Sequence, residues 1–122
     1  MINGAHVLLY SQDPDRDRAF FRDVLQFPSV DAGGGWLIFK LPPAEVALHP
    51  ADGESEPAHR LLLTQFYFMC DDLNALMKSL KAKNVSCTST TKERWGIRTT
   101  IKLPSGGEVG LYQPTHPTAL NL

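Results

Sequence analysis

Lys102-Leu103-Pro104-Ser105-Gly106-Gly107-Glu108-Val109-Gly110-Leu111-Tyr112-Gln113-Pro114 has an earlier counterpart in Lys40-Leu41-Pro42-Pro43-Ala44-Glu45-Val46-Ala47-Leu48-His49-Pro50. One extra residue in the later turn brings Lys-Leu-Pro and Glu-Val-x-Leu of both copies into register. A second match lies upstream in the same order. His6-Val7-Leu8-Leu9-Tyr10 begins seven residues before Asp13, and Gln65-Phe66-Tyr67-Phe68-Met69 begins seven before Asp72. Two matches in one order indicate an internal duplication, the feature to settle before any finer reading.

Each copy parses alike. A short aromatic and aliphatic run reads as a strand. An aspartate then caps a helix. In the first copy Asp13 is the N-cap, Pro14 suits the first helical position, and the helix runs to about Leu25. Phe20 with Val24, and Phe21 with Leu25, are i,i+4 pairs that can face a sheet. In the second copy Leu73, Leu76, Met77 and Leu80 form an amphipathic stripe, and Asn84 is a plausible stop. Three strands should follow each helix. They are expected near 29–31, 36–40 and 45–48, then near 86–90, 96–103 and 108–112, with Ser105-Gly106-Gly107 as a hairpin turn. The polar stretch 51–59 reads as the linker between copies.

These elements predict one α+β domain of two tandem β-α-β-β-β modules: module one over residues 1–58, module two over 59–115, and a tail over 116–122. A four-stranded sheet covered by one helix leaves a face open. Two such units are therefore expected to form a curved mixed sheet around a central cleft.

The 122 residues suit one core and not two independent ones. A net charge of −1 gives no electrostatic footprint for nucleic acid or an anionic membrane. No stretch approaches the ~20 apolar residues of a membrane span. Cys70 and Cys87 are too few for a disulfide framework and have no metal-ligand spacing. Both read as reduced thiols in a cytoplasmic protein.

The module architecture, a His near the start of the first strand and the Leu-Pro-x-Gly-Gly-Glu-Val hairpin together resemble the vicinal oxygen chelate superfamily. That superfamily includes glyoxalase I, the extradiol dioxygenases and the fosfomycin- and bleomycin-resistance proteins. The resemblance runs from about His6 to Pro114. It implies a divalent metal (Fe, Mn, Ni or Zn) held by His or Gln on each module's first strand and Glu on its last, acting as a Lewis acid. It also implies a homodimer. His6 and Gln65 occupy the first-strand positions. The expected Glu positions fall near Ala47 and Gly110, neither of which can ligate. Glu45 and His49 share a face with Ala47, as Glu108 and Tyr112 do with Gly110, so a displaced site could use His6, Gln65 and His49 with Glu108.

Glu45 and Glu108 are the candidate acid–base groups. Tyr67, Met69, Trp95, Tyr112 and Trp36 are the candidates for lining an apolar pocket that stacks a planar ligand. Arg94 and Arg98 flank Trp95, where a solvated role is favoured over anion recognition, and His59 and His116 read as solvated. Two functions are consistent with this pattern. One is a glyoxalase- or dioxygenase-like protein binding a small organic molecule, with metal-dependent lyase or dioxygenase activity. The alternative is a metal-free small-molecule or antibiotic-sequestering protein of the bleomycin-resistance type.

Overall fold

The computed structural model describes residue 1 and residues 6–47 and 65–122. Its elements are α1 (Pro14–Asp23), β1 (Ser29–Asp31), β2 (Leu37–Phe39), β3 (Tyr67–Met69), α2 (Leu73–Ala82), β4 (Thr91–Glu93), β5 (Gly96–Lys102) and β6 (Glu108–Pro114). With two helices and mixed sheets among the described residues the chain is α+β, as the sequence predicts. It divides into two compact units: residues 1–40 with 102–108, and residues 41–101 with 109–122.

In the first unit α1 starts where Asp13 accepts a hydrogen bond from the Arg16 amide, with Pro14 at the first helical position. Phe20 is buried. Phe21 packs on Phe27 and Phe39, with ring centroids 6.0 and 5.5 Å apart, so α1 is seated on β2. β1 and β2 pair antiparallel, Val30 opposite Ile38. The turn between them needs positive φ at Gly33, Gly34 and Gly35, and Asp31 closes it by accepting the amides of Gly33 and Gly35.

The unit's main polar junction is Asp17. This carboxylate is 8% exposed and accepts from Ser11 Oγ (2.6 Å), Ser105 Oγ (2.7 Å) and the Ser105 amide (3.1 Å). A buried carboxylate is tolerated when donors saturate it. Here the donors tie α1 to the hairpin turn 88 residues away in sequence.

In the second unit α2 begins at Asp72, which accepts the Ala75 amide at 3.0 Å. It ends as expected at Asn84, whose φ of 62° is the left-handed stop that Asn tolerates. The four-stranded sheet has the order β3-β6-β5-β4, with β3 parallel to β6 and β4 antiparallel to β5. Leu73, Leu80, Ile101, Val109 and Leu111 are each at most 3% exposed and form its core. Thr99 is buried with its hydroxyl on the Thr88 carbonyl at 2.6 Å. Because Val109 and Leu111 point into this core, strand alternation puts Gly110 and Tyr112 on the opposite face. Register pairs Tyr67 with Gly110 and Met69 with Tyr112, so these four residues share that face.

Three strand expectations are corrected. Residues 6–10 and 45–47 form no strand, giving six strands among the described residues where about eight were expected. A strand exists only where a partner completes its ladder. Among the described residues none pairs with 6–10, and Val7, Leu8, Leu9 and Tyr10 lie exposed. Residues 44–47 are held instead through Glu45, which accepts the Ala119 amide at 2.7 Å. The strand expected at 86–90 is reduced to a bridge between Cys87 and Ile101, and the ladder forms later, at β4. The linker at 51–59 lies outside the described residues.

Replacing Asp17 by Ala would leave the Ser105 amide and hydroxyl and the Ser11 hydroxyl without their acceptor. The expected cost is ~1–3 kcal/mol of stability, read as an earlier midpoint in urea unfolding. A midpoint within error of wild type would show that this junction carries no stability.

Candidate functional site

The exposed face of the second unit's sheet gathers three of the five aromatic and apolar candidates into mutual contact. The rings of Tyr67 and Trp95 lie 5.6 Å apart, Tyr67 and Tyr112 5.6 Å, and Trp95 and Tyr112 5.0 Å, all edge-to-face. That is the favoured geometry for rings with negative faces and positive edges. All three are half-buried, so each keeps an accessible edge or face. Met69, also half-buried, is the register partner of Tyr112. Trp36 belongs to the first unit, where the Arg18 guanidinium sits 4.5 Å over its ring.

Tyr67 lies directly over Gly110. A Cβ built on Gly110 would overlap three ring atoms of Tyr67, so no side chain fits at 110 while this ring is in place. Aromatic cover of a cross-strand glycine stabilises both the glycine and the ring. The Tyr67 hydroxyl donates to Gln65 Oε1 at 3.3 Å.

In the sequence His116 reads as a solvated tail residue. The structure instead brings it to the cluster. Its ring stacks on Tyr112 at 29°, centroids 6.1 Å apart. Nε2 lies 3.3 Å from the Tyr112 hydroxyl and 3.8 Å from Glu45 Oε1, and Nδ1 lies 2.8 Å from the Pro117 carbonyl. The tail is positioned further by Thr115, whose amide and hydroxyl donate to the carbonyls of Trp95 and Arg94. Glu45, Ala44, Val46 and Ala47 on one side, and His116, Pro117, Ala119 and Leu122 on the other, line an open recess of about 470 Å³. Burial, and then the Glu45 charge, push the Tyr112 phenol above its ordinary pKa. The only sequence clue to His116 was its place four residues after Tyr112, too weak to tell a contact from a tail.

The expected metal ligands are spread over both units. His6 and Gln65 are exposed, in the first and second units respectively, and His49 lies outside the described residues. Glu108 is exposed, and Gly110 offers no donor and no room for one. Among the described residues no three His, Cys, Asp or Glu side chains gather as a metal site. Arg98 pairs with Glu93 through Nε at 3.1 Å. Both cysteines are free, and burial raises their thiol pKa values, with Asp71 and Asp72 adding to the effect at Cys70. Neutral, partly buried thiols are poor nucleophiles.

If Tyr67 fills the space over Gly110, Gly110→Ala alone should lower stability by ~1–3 kcal/mol, as overpacking does. The same change in a Tyr67→Ala background should cost much less. Equal costs in both backgrounds, by thermal melting, would show that the ring moves aside freely.

A family model described as Glyoxalase/Bleomycin resistance protein/Dioxygenase superfamily matches residues 4–110. A search of curated proteins finds no match. Among solved structures, an antibiotic-binding protein from a Streptomyces species superposes with a TM-score of 0.61 at 21% identity, covering 94% of this chain and all of that one. A lactoylglutathione lyase from Agrobacterium tumefaciens superposes at 0.56 with 24% identity, covering 86% and 88%. A virulence protein from Salmonella typhimurium gives 0.58 at 21%, covering 94% and 100%. At such identities the likeness is one of fold. With the family model spanning most of its length, the chain belongs to the Glyoxalase/Bleomycin resistance protein/Dioxygenase superfamily.

Proposed function

We propose that this protein binds a small, planar organic molecule against the Tyr67–Trp95–Tyr112 cluster and does so without a metal. One observation carries the reading: the face on which a superfamily metal ligand would stand is filled by Tyr67 over Gly110 and is aromatic instead. Apolar, ring-lined sites with few polar groups are the usual form of small-molecule sites. The antibiotic-binding protein among the fold neighbours is consistent with binding as a use of this fold.

The rival reading is metal-dependent lyase or dioxygenase catalysis with Glu45 and Glu108 as acid–base groups. Its support is the contact between Glu45 and His116. Against it, Glu108 is exposed, away from the aromatic cluster's ring contacts.

No described helix is long and apolar enough to cross a membrane. With two free thiols and no basic patch, we read the protein as cytoplasmic and as having no nucleic-acid partner. We also read it as a homodimer. The exposed apolar run Val7-Leu8-Leu9-Tyr10 has strand composition and no ladder among the described residues, and a second copy could supply one.

Titration of EDTA-treated protein with a panel of planar aromatic compounds should find ligands bound equally well before and after the treatment. Trp95→Ala should weaken them about tenfold, since truncating a buried aromatic anchor costs more than 1 kcal/mol. Binding that needs added metal, or that ignores Trp95, would refute the reading. Sedimentation at tens of micromolar should show a dimer, and a monomer alone would remove that part of it.

A further inference from the structure

Hydrogen-bond direction in the aromatic cluster says what kind of molecule it prefers. The Tyr67 hydroxyl spends its single proton on Gln65 Oε1, at 3.3 Å. The Pro117 carbonyl can only accept, so the proton of a neutral His116 sits on Nδ1, 2.8 Å away. Nε2 then carries a lone pair, and the Tyr112 hydroxyl at 3.3 Å must donate to it. Both phenols have therefore given their protons to neighbours. What they can offer a ligand is oxygen lone pairs.

The surroundings add to the same sign. Glu45 Oε1 lies 3.8 Å from His116 Nε2, while Oε2 is anchored by the Ala119 amide at 2.7 Å, so a fixed negative charge stands next to the Tyr112–His116 pair. The faces of Tyr67, Trp95 and Tyr112 are themselves electron-rich. Among the described residues opposing groups are few. Arg98 is neutralised by Glu93, Arg94 is exposed on the turn before Trp95, and Gln65 retains a neutral amide donor.

Resting on the binding reading above, we infer that this site selects a planar organic cation, such as a protonated aromatic amine or amidine, over an anion of the same shape. An N–H of the ligand would meet the phenol oxygens. Its charge would lie over the ring faces and within the field of Glu45. The chain's net charge of −1 is too small to create such a preference from a distance, so the discrimination is local.

The test uses two probes with the same three-ring outline, 9-aminoacridine as the cation and anthracene-9-carboxylate as the anion. Both are titrated into the full chain at pH 8. The expected result is at least about tenfold tighter binding of 9-aminoacridine, the range of a partly desolvated cation–π contact. Glu45→Gln should cut that ratio several-fold while leaving anthracene-9-carboxylate no weaker. Should Glu45→Gln fail to fold, Tyr112→Phe keeps the ring, removes the accepting oxygen and should also lower the ratio. Trp95→Ala should weaken both probes. Equal affinities, or tighter binding of the carboxylate, with both probes still dependent on Trp95, would overturn the ligand class and leave the binding reading standing. Binding of neither probe would overturn both.

Discussion

The contact on which the candidate site depends is the ring of Tyr67 lying across Gly110. It needs β3 and β6 to run parallel in one register, because only then do Tyr67 and Gly110 face each other on the same side of the sheet. Once the ring is there, residue 110 can have no side chain, and the sheet face becomes aromatic. Trp95 and Tyr112 complete the cluster edge-to-face, and His116 stacks on Tyr112. A carboxylate at position 110 and this cluster are mutually exclusive uses of one volume.

The opposite face supplies the rigidity. Val109 and Leu111 alternate with Gly110 and Tyr112 and are buried with Leu73, Leu80 and Ile101. A one-residue slip of β6 would exchange the two sets, moving apolar side chains to water and the aromatic site into the core. The same alternation that stabilises the fold thus positions the site. In the first unit the comparable constraint is polar. Asp17 gathers three donors and fastens the hairpin turn to α1, and a buried charge with that many partners has few alternative arrangements.

Much of this was readable from local signals. Asp13 and Asp72 announced both helices, since caps are recognised by neighbours within one turn. Ser105-Gly106-Gly107 announced the hairpin, and the Gly110 position was already recognisable as one that could not ligate a metal. Residues 6–10 and 45–47 were misread as strands. Their composition suits a strand, but a ladder is a property of two segments, and no partner is placed beside them among the described residues. His116 was missed for the same reason. Its contacts with Glu45 and Pro117 join a tail turn to a segment far away in sequence, and no periodicity reports such a meeting.

By itself, then, the sequence determined the α+β class, the helix boundaries to within about two residues and the family resemblance. Each follows from residue spacing, composition and backbone preference acting over a few positions. The tertiary structure alone decided which of the candidate residues meet. It put Tyr67, Trp95 and Tyr112 in contact, laid the Tyr67 ring over Gly110, and brought the Tyr67 and Tyr112 hydroxyls within reach of Gln65 and His116. The physical reason is that side-chain volume and hydrogen-bond direction are settled between strands and between distant segments, where neither periodicity nor propensity along the chain carries information.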